Sequence, residues 1–278
     1  MMRPADVVRR GAEYLRRHDV QSPLPTAEVL MMHVLQTDRT DVYVRDHGLT
    51  TAEARTYGRL LCRRCTGTPA QHLTGRQSFR TLDLGIRPGV FVPRPETEIV
   101  VDTAIDTIRA SATPTVVDVG TGAGAIALSV KRERPDARVF ATDRSEDAVG
   151  LARANAEELG LDVEIVHGDL LSPLSAELRS RIDLVVSNPP YVTAEELAHL
   201  PADVRADPLG ALLGGPQVHA RLLPEAFRWL APSGHVVLEI GERQADKVTA
   251  AAAEAGFVDV SVYVDLTGRD RVVSACRP

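Results

Sequence analysis

Five short, valine-rich apolar runs follow one another from residue 115 onward, separated by turns and by helical patterns. They occupy residues 115–120, 138–143, 163–169, 182–188 and 235–241. The spacing of apolar residues predicts helices between several of them, notably around residues 145–159 and 242–255. Buried parallel strands with helices on both faces of the sheet produce this alternation. The chain is therefore predicted to contain an α/β domain built on a largely parallel sheet.

Two further apolar runs, residues 258–265 and 271–276, are joined by only five residues. A connection this short cannot include the crossover helix that two parallel strands require, so we expect these strands to pair antiparallel. The predicted sheet is therefore mixed, with its antiparallel strands at the end of the chain.

The first 75 residues follow a helical rather than an extended pattern. Apolar residues recur at helical spacing, as at Ala12 and Leu15, and the segment from Thr50 to Glu53 is typical of the cap that opens a third helix. This part contains 11 arginines and 8 acidic residues, a surplus of three positive charges, whereas the rest of the chain carries −9. The contrast predicts a helical domain at residues 1–75 and an α/β domain at residues 94–278.

The segment between these domains, residues 76–93, alternates apolar and polar residues. Pro88 and Gly89 interrupt the alternation ahead of a final apolar run at residues 90–92, which is typical of a β-hairpin. Pro95 then suits the first turn of a helix, because proline lacks the N–H that a first turn leaves unpaired. We therefore expect a β-hairpin linker followed at once by a helix.

The composition excludes several classes of protein. Apolar residues make up 44% of the 278 residues and charged residues 25%, the balance of a folded globular chain rather than a disordered one. The net charge is −6 and aromatic residues make up 4%. The chain therefore lacks the basic surface and the stacking platforms of a protein that coats nucleic acid.

Neither a disulfide framework nor a metal site is expected. Three cysteines are too few for a framework and favour a reducing compartment. Cys62 and Cys65 form a lone C-x-x-C motif without the second pair that a zinc site needs, and the eight histidines lack metal-ligand spacing. No signal-peptide pattern occurs, and no apolar run reaches the roughly 18 residues of a membrane span. A cytoplasmic protein with no membrane partner is predicted.

Residues 118–124, with the sequence DVGTGAG, form a glycine-rich turn between the first predicted strand and the next helix. Glycines let the backbone approach a ligand closely, and the N-terminus of a helix offers unpaired N–H groups. Asp143 ends the next strand, where a carboxylate can accept hydrogen bonds from ribose hydroxyls. These features predict a site for an adenosine-containing cofactor. The spacing Gly122-x-Gly124-x-x-Ala127 also fits a dinucleotide fingerprint, so a nicotinamide-dependent oxidoreductase is an alternative at this point.

Residues 187–191, with the sequence SNPPY, follow the fourth predicted strand. Two prolines remove two backbone donors and fix φ, which leaves a rigid shelf of hydrogen-bond acceptors. Such a shelf suits a planar nitrogen group: the Asn188 side-chain oxygen and the Pro189 carbonyl can accept its two N–H bonds, and Tyr191 can lie against it. A methyl sulfonium cofactor opposite would then be attacked in line, with the catalytic gain coming from orientation and fixed dipoles.

Five segments together resemble the PrmC/HemK family, the protein-glutamine methyltransferases that modify peptide chain release factors. The NPPY motif is shared with methyltransferases that act on adenine amino groups, so by itself it indicates the chemistry rather than the substrate. The PRPETE segment and the helical domain ahead of it narrow the match. The five segments are GTPAQHLTG (67–75), PGVFVPRPETE (88–98), DVGTGAGAIAL (118–128), SNPPY (187–191) and LTGRDRVV (266–273).

The resemblance implies a class I methyltransferase fold that uses S-adenosylmethionine, preceded by a helical domain that docks the substrate. It implies that the glycine-rich turn holds the methionine part of the cofactor, that Asp143 binds the ribose, and that Asp169 and Leu170 border the adenine. The other cofactor-binding residues that it implies are Asp118, Gly120, Thr121, Gly122, Ala123, Gly124 and Asn188.

The resemblance also implies residues for the methyl acceptor. Those that would hold the glutamine side chain are Asn188, Pro189, Pro190 and Tyr191. A second set, from the segment at residues 88–98, would shape the pocket and comprises Phe91, Arg94 and Glu98. For Arg94 and Glu98, an ion pair at the start of a helix is an equally good interpretation.

The sequence departs from the family pattern after the SNPPY segment. Asp207-Pro208, Ala211-Leu212 and Gly214-Gly215 stand in the family's order, but residues 216–219 replace its usual Asp-Gly-Leu. This change bears on the substrate rather than on methyl transfer. The resemblance as a whole makes release factors the expected partners. The alternatives are a small-molecule amide or guanidine nitrogen, or a nucleic-acid base, which the negative charge of the α/β domain disfavours.

Overall fold

The structure, a computed structural model, describes residues 2–200 and 204–278, which form two compact units. The first unit contains residues 2–76 with 204–206, and the second contains residues 77–200 with 207–278. Each has its own buried apolar core.

The first unit is helical, as the sequence predicts. Thr50 caps one of its helices: its Oγ1 accepts from the Glu53 N–H at 3.2 Å, and Glu53 Oε2 accepts from the Thr50 N–H at 2.6 Å. This capping box opens the fourth helix and not the third, because a six-residue helix capped by Asp38 precedes it. The helices are α1 (Pro4–Arg17), α2 (Pro23–Leu35), α3 (Arg39–Val44), α4 (Thr51–Cys65) and α5 (Ala70–Thr74).

The predicted hairpin is present, but the prediction of its turn was wrong. Strands β1 (Arg76–Phe79) and β2 (Leu82–Gly85) pair, and the turn between them lies at Arg80, which has a φ of 51°. Residues 90–92 are not a strand, because Val90 and Val92 are buried in a small apolar cluster with Ala123 and neighbouring residues. Their apolar character reflects that packing and not strand pairing.

In the second unit, the segment after the hairpin leads to a 3-10 turn, Pro95–Thr97, which continues as helix α6 (Glu98–Thr107). Pro95 occupies the first turn, as expected. The remaining helices of the unit are α7 (Ala125–Glu133), α8 (Glu146–Leu159), α9 (Ala194–Leu197), α10 (Leu209–Leu212), α11 (Gly215–Trp229) and α12 (Ala245–Glu254).

Seven strands form one mixed sheet in the order β5-β4-β3-β6-β7-β9-β8. Strands β3 to β7 pair in parallel, and β9 pairs antiparallel with both β7 and β8, as predicted for the end of the chain. The strands are β3 (Thr115–Val119), β4 (Arg138–Asp143), β5 (Glu164–His167), β6 (Ile182–Ser187), β7 (Leu230–Glu239), β8 (Val258–Val264) and β9 (Asp270–Cys276).

The strand order reverses at one point in the sheet, between β3 and β6. The chain runs outward from β3 through β4 and β5 on one side, and through β6 and β7 on the other. Ligands of open α/β sheets bind at the carboxyl ends of the strands where the order reverses, here between β3 and β6. The glycine-rich turn follows β3, and the SNPPY segment begins at the last residue of β6.

Among the helices of the described residues, none combines the length and the apolar character needed to cross a membrane.

Candidate active site

Backbone hydrogen bonds to the neighbouring strand β4 hold the glycine turn, residues 118–124. The N–H groups of Gly120 and Thr121 both donate to the Thr142 carbonyl on β4, at 2.8 and 3.0 Å. Gly120 and Gly122 have φ values of 75° and 57°, in the left-handed region that favours glycine. A Cβ built on either would meet no described atom within 4 Å. The turn therefore presents an open backbone surface that a ligand can approach.

Asp118 lies under the turn and is fully buried. Its Oδ2 accepts from Thr121 Oγ1 at 2.6 Å and from the Ala127 N–H at 3.1 Å. Its Oδ1 has no partner among the described residues. Burial raises the pKa of this carboxyl to about 7, against the two hydrogen bonds that lower it. A buried acceptor without a partner fits a bound donor, such as the ammonium group of an amino-acid cofactor.

Asp143 ends β4 beside the turn. Its Oδ2 accepts from the Gly122 N–H at 2.9 Å, and its Oδ1 accepts from the Ser145 N–H at 2.9 Å. A carboxylate oxygen can accept two hydrogen bonds, so each still has a lone pair for a ribose hydroxyl. Asp143 thus both shapes the turn and can bind a ligand.

The other predicted cofactor residues differ in what they offer. Leu170 adopts a φ of 51° and its carbonyl accepts from Thr142 Oγ1 at 2.7 Å, which fixes it near the end of β4. The exposed Asp169 carboxylate pairs with Arg221 at 2.7 Å. The Ala123 side chain is buried in the core, and its carbonyl accepts from Asn155 Nδ2 at 2.8 Å.

The proline loop, residues 187–191, is tied directly to β3. Ser187 Oγ donates to the Val119 carbonyl at 2.6 Å, so the loop begins beside the strand that leads into the glycine turn. Gly214 packs against the loop from behind, since a Cβ there would lie 2.0 Å from the Pro190 carbonyl oxygen. Only glycine allows this approach. Val192 and Leu213 form an isolated parallel bridge that continues the contact.

The side chains of the proline loop are held by residues far away in the sequence. Asn188 Nδ2 donates to Thr97 Oγ1 at 3.0 Å, and Thr97 Oγ1 donates to Glu239 Oε2 at 2.7 Å. The Tyr191 hydroxyl donates to Glu239 Oε1 at 2.9 Å, and Gln244 Nε2 donates to the Tyr191 carbonyl at 2.8 Å. Glu239, the last residue of β7, therefore joins both ends of the NPPY sequence.

Burial raises the pKa of Glu239 to about 7. The hydrogen bonds from Thr97 and Tyr191 and the positive charge of Arg271 act in the opposite direction, while Glu96 adds a smaller repulsion. Burial and the neighbouring Glu239 also raise the pKa of Tyr191, so its phenol stays protonated and remains a donor.

The residues of the segment at 88–98 separate in the structure. The Arg94 guanidinium pairs with the buried Asp207 and lies 5.5 Å from the ring centroid of Phe91. Glu98 Oε1 accepts from the backbone N–H of Arg80 in the hairpin, at 2.9 Å. The suggested ion pair between Arg94 and Glu98 is therefore not formed, because each has another partner. Arg94 and Phe91 lie together, and Glu98 supports the hairpin.

His219, which lies in the departure from the family pattern, is fully buried on α11. Its Nε2 lies 2.9 Å from the Glu239 carbonyl oxygen, and its Nδ1 has no partner among the described residues. Burial lowers its pKa, so the ring is neutral and donates from Nε2. His219 thus packs beneath the end of β7.

Sequence reasoning missed four residues that shape this site: Thr97, Gly214, Glu239 and Gln244. Three of them carried a signal. Gly214 belongs to the Gly-Gly pair that stands in the family's order. Thr97 belongs to the PRPETE segment, from which other residues were chosen, and Glu239 is an acid in an apolar strand, where an unpaired charge is costly.

Among the described residues, no group of three or more His, Cys, Asp or Glu side chains could hold a metal ion.

Comparison with known families and proteins agrees with this architecture. Residues 6–75 match the PrmC N-terminal domain, and residues 81–202 match the methyltransferase small domain. The release factor glutamine methyltransferase of Moorella thermoacetica is 40% identical over 265 residues, which cover 93% of each chain. That of Deinococcus radiodurans is 40% identical over 281 residues, covering 99% of each.

Solved structures support the fold alone. The hMettl16 catalytic domain, determined with a MAT2A 3'UTR hairpin, superposes with a TM-score of 0.59 at 15% identity, covering 78% of this chain and 80% of that one. A methyltransferase from Pyrococcus furiosus gives 0.52 at 18% identity, covering 81% of this chain and 98% of the other.

These findings confirm the predictions of a class I methyltransferase fold, of a methyltransferase enzyme and of S-adenosylmethionine as its cofactor. They give no support to the nicotinamide alternative. With two relatives 40% identical over more than nine-tenths of its length, the chain belongs to the release factor glutamine methyltransferase family.

Proposed function

We propose that this chain transfers a methyl group from S-adenosylmethionine to the side-chain amide nitrogen of a glutamine in a peptide chain release factor. The observation that carries the proposal is the Ser187 Oγ bond to the Val119 carbonyl at 2.6 Å. It keeps the acceptor-rich proline loop beside the strand that enters the glycine turn. A planar nitrogen on the loop and a cofactor on the turn then face the same strand ends.

The glycine turn and its neighbours are the proposed cofactor site. Asp118 Oδ1 would take the ammonium group, the open backbone at Gly120 and Gly122 would face the methionine part, and Asp143 would accept from the ribose hydroxyls. Leu170 and Asp169 would border the adenine. When bound, S-adenosylmethionine supplies a methyl group on a positively charged sulfur.

The proline loop is the proposed acceptor site. An amide nitrogen is a poor nucleophile because its lone pair is delocalised. Asn188 Oδ1 and the Pro189 carbonyl, neither of which accepts a hydrogen bond from another described residue, would receive its two N–H bonds. These bonds orient the nitrogen and increase its electron density, and Tyr191 excludes water. As the acceptor nitrogen forms its new bond to the methyl carbon, the bond from that carbon to the sulfur would break, S-adenosylhomocysteine would leave, and one N–H proton would pass to solvent. The gain comes from orientation and preorganised dipoles.

A release factor as the acceptor is supported by the function for which the relatives are named and by the match to the PrmC N-terminal domain. We propose residues 1–75 as the substrate-docking domain and residues 94–278 as the methyltransferase domain, with a hairpin linker at 76–93. The helical part, with its surplus of three positive charges, suits an acidic protein surface. A cytoplasmic enzyme is proposed because the low cysteine count favours a reducing compartment.

Incubation with methyl-labelled cofactor and purified release factor tests the proposal. We expect label on the release factor, located by tandem mass spectrometry on one glutamine side chain, and none with a release factor in which that glutamine is alanine. Label found only in the small-molecule fraction, or in nuclease-sensitive material, would overturn the release-factor assignment in favour of those acceptors.

A further inference from the structure

A buried chain of hydrogen bonds runs from the end of β7 to the proline loop, and while Glu239 is ionised its atoms permit only one direction. An ionised Glu239 carboxylate can accept but not donate. The single hydroxyl hydrogen of Thr97 is therefore donated to Glu239 Oε2 at 2.7 Å. Having spent that hydrogen, Thr97 Oγ1 can only accept from its other neighbour, the Asn188 amide at 3.0 Å.

This direction decides which atom of the Asn188 amide points away from Thr97 and is available to the methyl acceptor. The amide presents its NH₂ group to Thr97, so its carbonyl oxygen Oδ1 lies on the opposite side. An acceptor nitrogen with two N–H bonds needs that oxygen. A flipped Asn188 amide would present its NH₂ group to the N–H bonds of the acceptor nitrogen, and the two donor groups would repel.

We propose that Thr97 and Glu239 are positioning residues that hold Asn188 in the orientation required by the methyl acceptor. They act through Asn188 and do not touch the transferred group. The inference rests on the proposed function for the identity of the acceptor, but the orientation of Asn188 can be measured without one.

The same carboxylate also accepts from the Tyr191 hydroxyl at 2.9 Å. One ionised side chain thus fixes both the amide that binds the acceptor and the ring beside it. Thr97 and Glu239 are nearly inaccessible to solvent, at 3% and 2% exposure, so water does not compete for these hydrogen bonds.

The arrangement predicts a dependence on pH. The charged and titratable groups around the Glu239 carboxyl are Tyr191, Arg271 on β9 and Glu96 in the 3-10 turn, while neutral His219 faces its carbonyl. A protonated Glu239 could donate to Thr97, whose hydrogen would then turn toward Asn188 and favour the flipped amide. Turnover at saturating cofactor should therefore fall as the pH drops through about 7, the pKa of Glu239.

The first test compares two variants of Thr97 with a control. Thr97→Val keeps the shape and removes the hydroxyl, and we expect kcat to fall by about 10- to 100-fold. Thr97→Ser should restore kcat to within about threefold of wild type, since it returns the hydroxyl. Thr103→Val is the matched control, because Thr103 is also buried but donates only to the Ile99 carbonyl of its own helix. Equal kcat in Thr97→Val and wild type would overturn the proposal.

A second test needs no methyl acceptor. The side-chain NH₂ signals of Asn188, assigned by their loss in Asn188→Ala, should shift with pH in wild type, with a midpoint near 7. In Glu239→Gln, which cannot ionise, both this shift and the acid limb of kcat should disappear. Persistence of either would contradict the proposal.

The two tests also separate this inference from the proposed function. If wild type shows the NH₂ titration but methylates no release factor, the proposed acceptor is wrong and the positioning role stands. If wild type methylates the release factor and its NH₂ signals do not titrate, the positioning role fails and the proposed function stands.

Discussion

The glycine turn and the proline loop lie at neighbouring strand ends, yet different parts of the chain determine their shapes. The N–H groups of the glycine turn bond to Thr142 and Asp143, at most 22 positions away in sequence, and Gly120 and Gly122 have left-handed φ values. Two of its carbonyls accept from Asn155 and Ser187, 32 and 68 positions away. The proline loop bonds to Thr97 and Glu239 through the side chains of Asn188 and Tyr191, and to Gln244 through the Tyr191 carbonyl. These partners are 91, 48 and 53 positions away. The shape of the turn is thus set mainly by nearby residues, whereas the loop depends on the assembled fold.

The largest expected effect is on the chemistry of the proline loop. Asn188→Ala removes the side-chain oxygen proposed to orient the acceptor, and we expect kcat to fall by about 10²- to 10³-fold. The affinity for S-adenosylhomocysteine should change by no more than a few fold, because the glycine turn keeps its own shape. Steady-state kinetics and titration calorimetry measure the two quantities. Unchanged turnover would remove the role given to Asn188.

Gly214→Ala tests whether the loop depends on a remote residue for its shape. The new methyl would collide with the Pro190 carbonyl, which is backbone and cannot swing away. We expect a loss of about 1–3 kcal/mol in the free energy of unfolding and about a tenfold loss of kcat.

Gly58→Ala in α4 is the control for this substitution, because a Cβ there meets no described atom within 4 Å. It should raise the free energy of unfolding by about 0.5–1 kcal/mol, since alanine is the better helix former. Denaturant unfolding followed by circular dichroism measures both variants. A fully active, stable Gly214→Ala protein would show that the loop tolerates displacement.

Gly122→Ala makes the matching change in the glycine turn, with a different expected result. The methyl meets open space, so the structural cost is only that of the left-handed φ, about 1–2 kcal/mol. That open space is where the cofactor is proposed to lie, so affinity for S-adenosylhomocysteine should fall about tenfold or more, equivalent to at least about 1.4 kcal/mol. Calorimetry checks this, and unchanged affinity would place the ligand elsewhere.

The smallest effect distinguishes the buried acids of the two regions. Asp118 and Glu239 both have a pKa of about 7, raised by burial. A cofactor ammonium beside Asp118 Oδ1 would stabilise the carboxylate and lower its pKa. Binding of S-adenosylhomocysteine at pH 7 should therefore release about half a proton from Asp118, and less at higher pH. Calorimetry in buffers of different ionisation enthalpy measures the release. Asp118→Asn should abolish it, and the same release in that variant would contradict the assignment.

The same contrast explains how much the sequence could predict. The glycine turn, the rigid loop at NPPY and the mixed sheet were predicted because the determinants of each are adjacent in sequence. These are glycines at fixed spacing, consecutive prolines, and a five-residue link before the last strand. The partners of Asn188 and Tyr191 were not, because nothing local ties Thr97 to Glu239, 142 positions away.

One prediction and one open alternative differ from the structure. The hairpin turn was placed at Pro88 and Gly89, since these residues favour turns. They do form a turn, in which the Val90 N–H donates to the Arg87 carbonyl at 3.4 Å, but the paired strands are joined at Arg80, whose guanidinium bonds to Asp102 and Glu133. Arg94 and Glu98 were considered as a pair on the basis of their spacing. The buried Asp207, 113 positions away, takes Arg94 instead. The ion-pair partners of Arg80 and Arg94 lie 22 to 113 positions away, so no local pattern identifies them.

The most direct test of the account is a crystal structure of the enzyme with S-adenosylhomocysteine and a glutamine-containing release factor peptide. We expect the glutamine side-chain nitrogen within hydrogen-bond distance of both Asn188 Oδ1 and the Pro189 carbonyl, with its free face toward the cofactor sulfur. A glutamine nitrogen bound elsewhere, or an Asn188 that turns its NH₂ group toward it, would contradict the account.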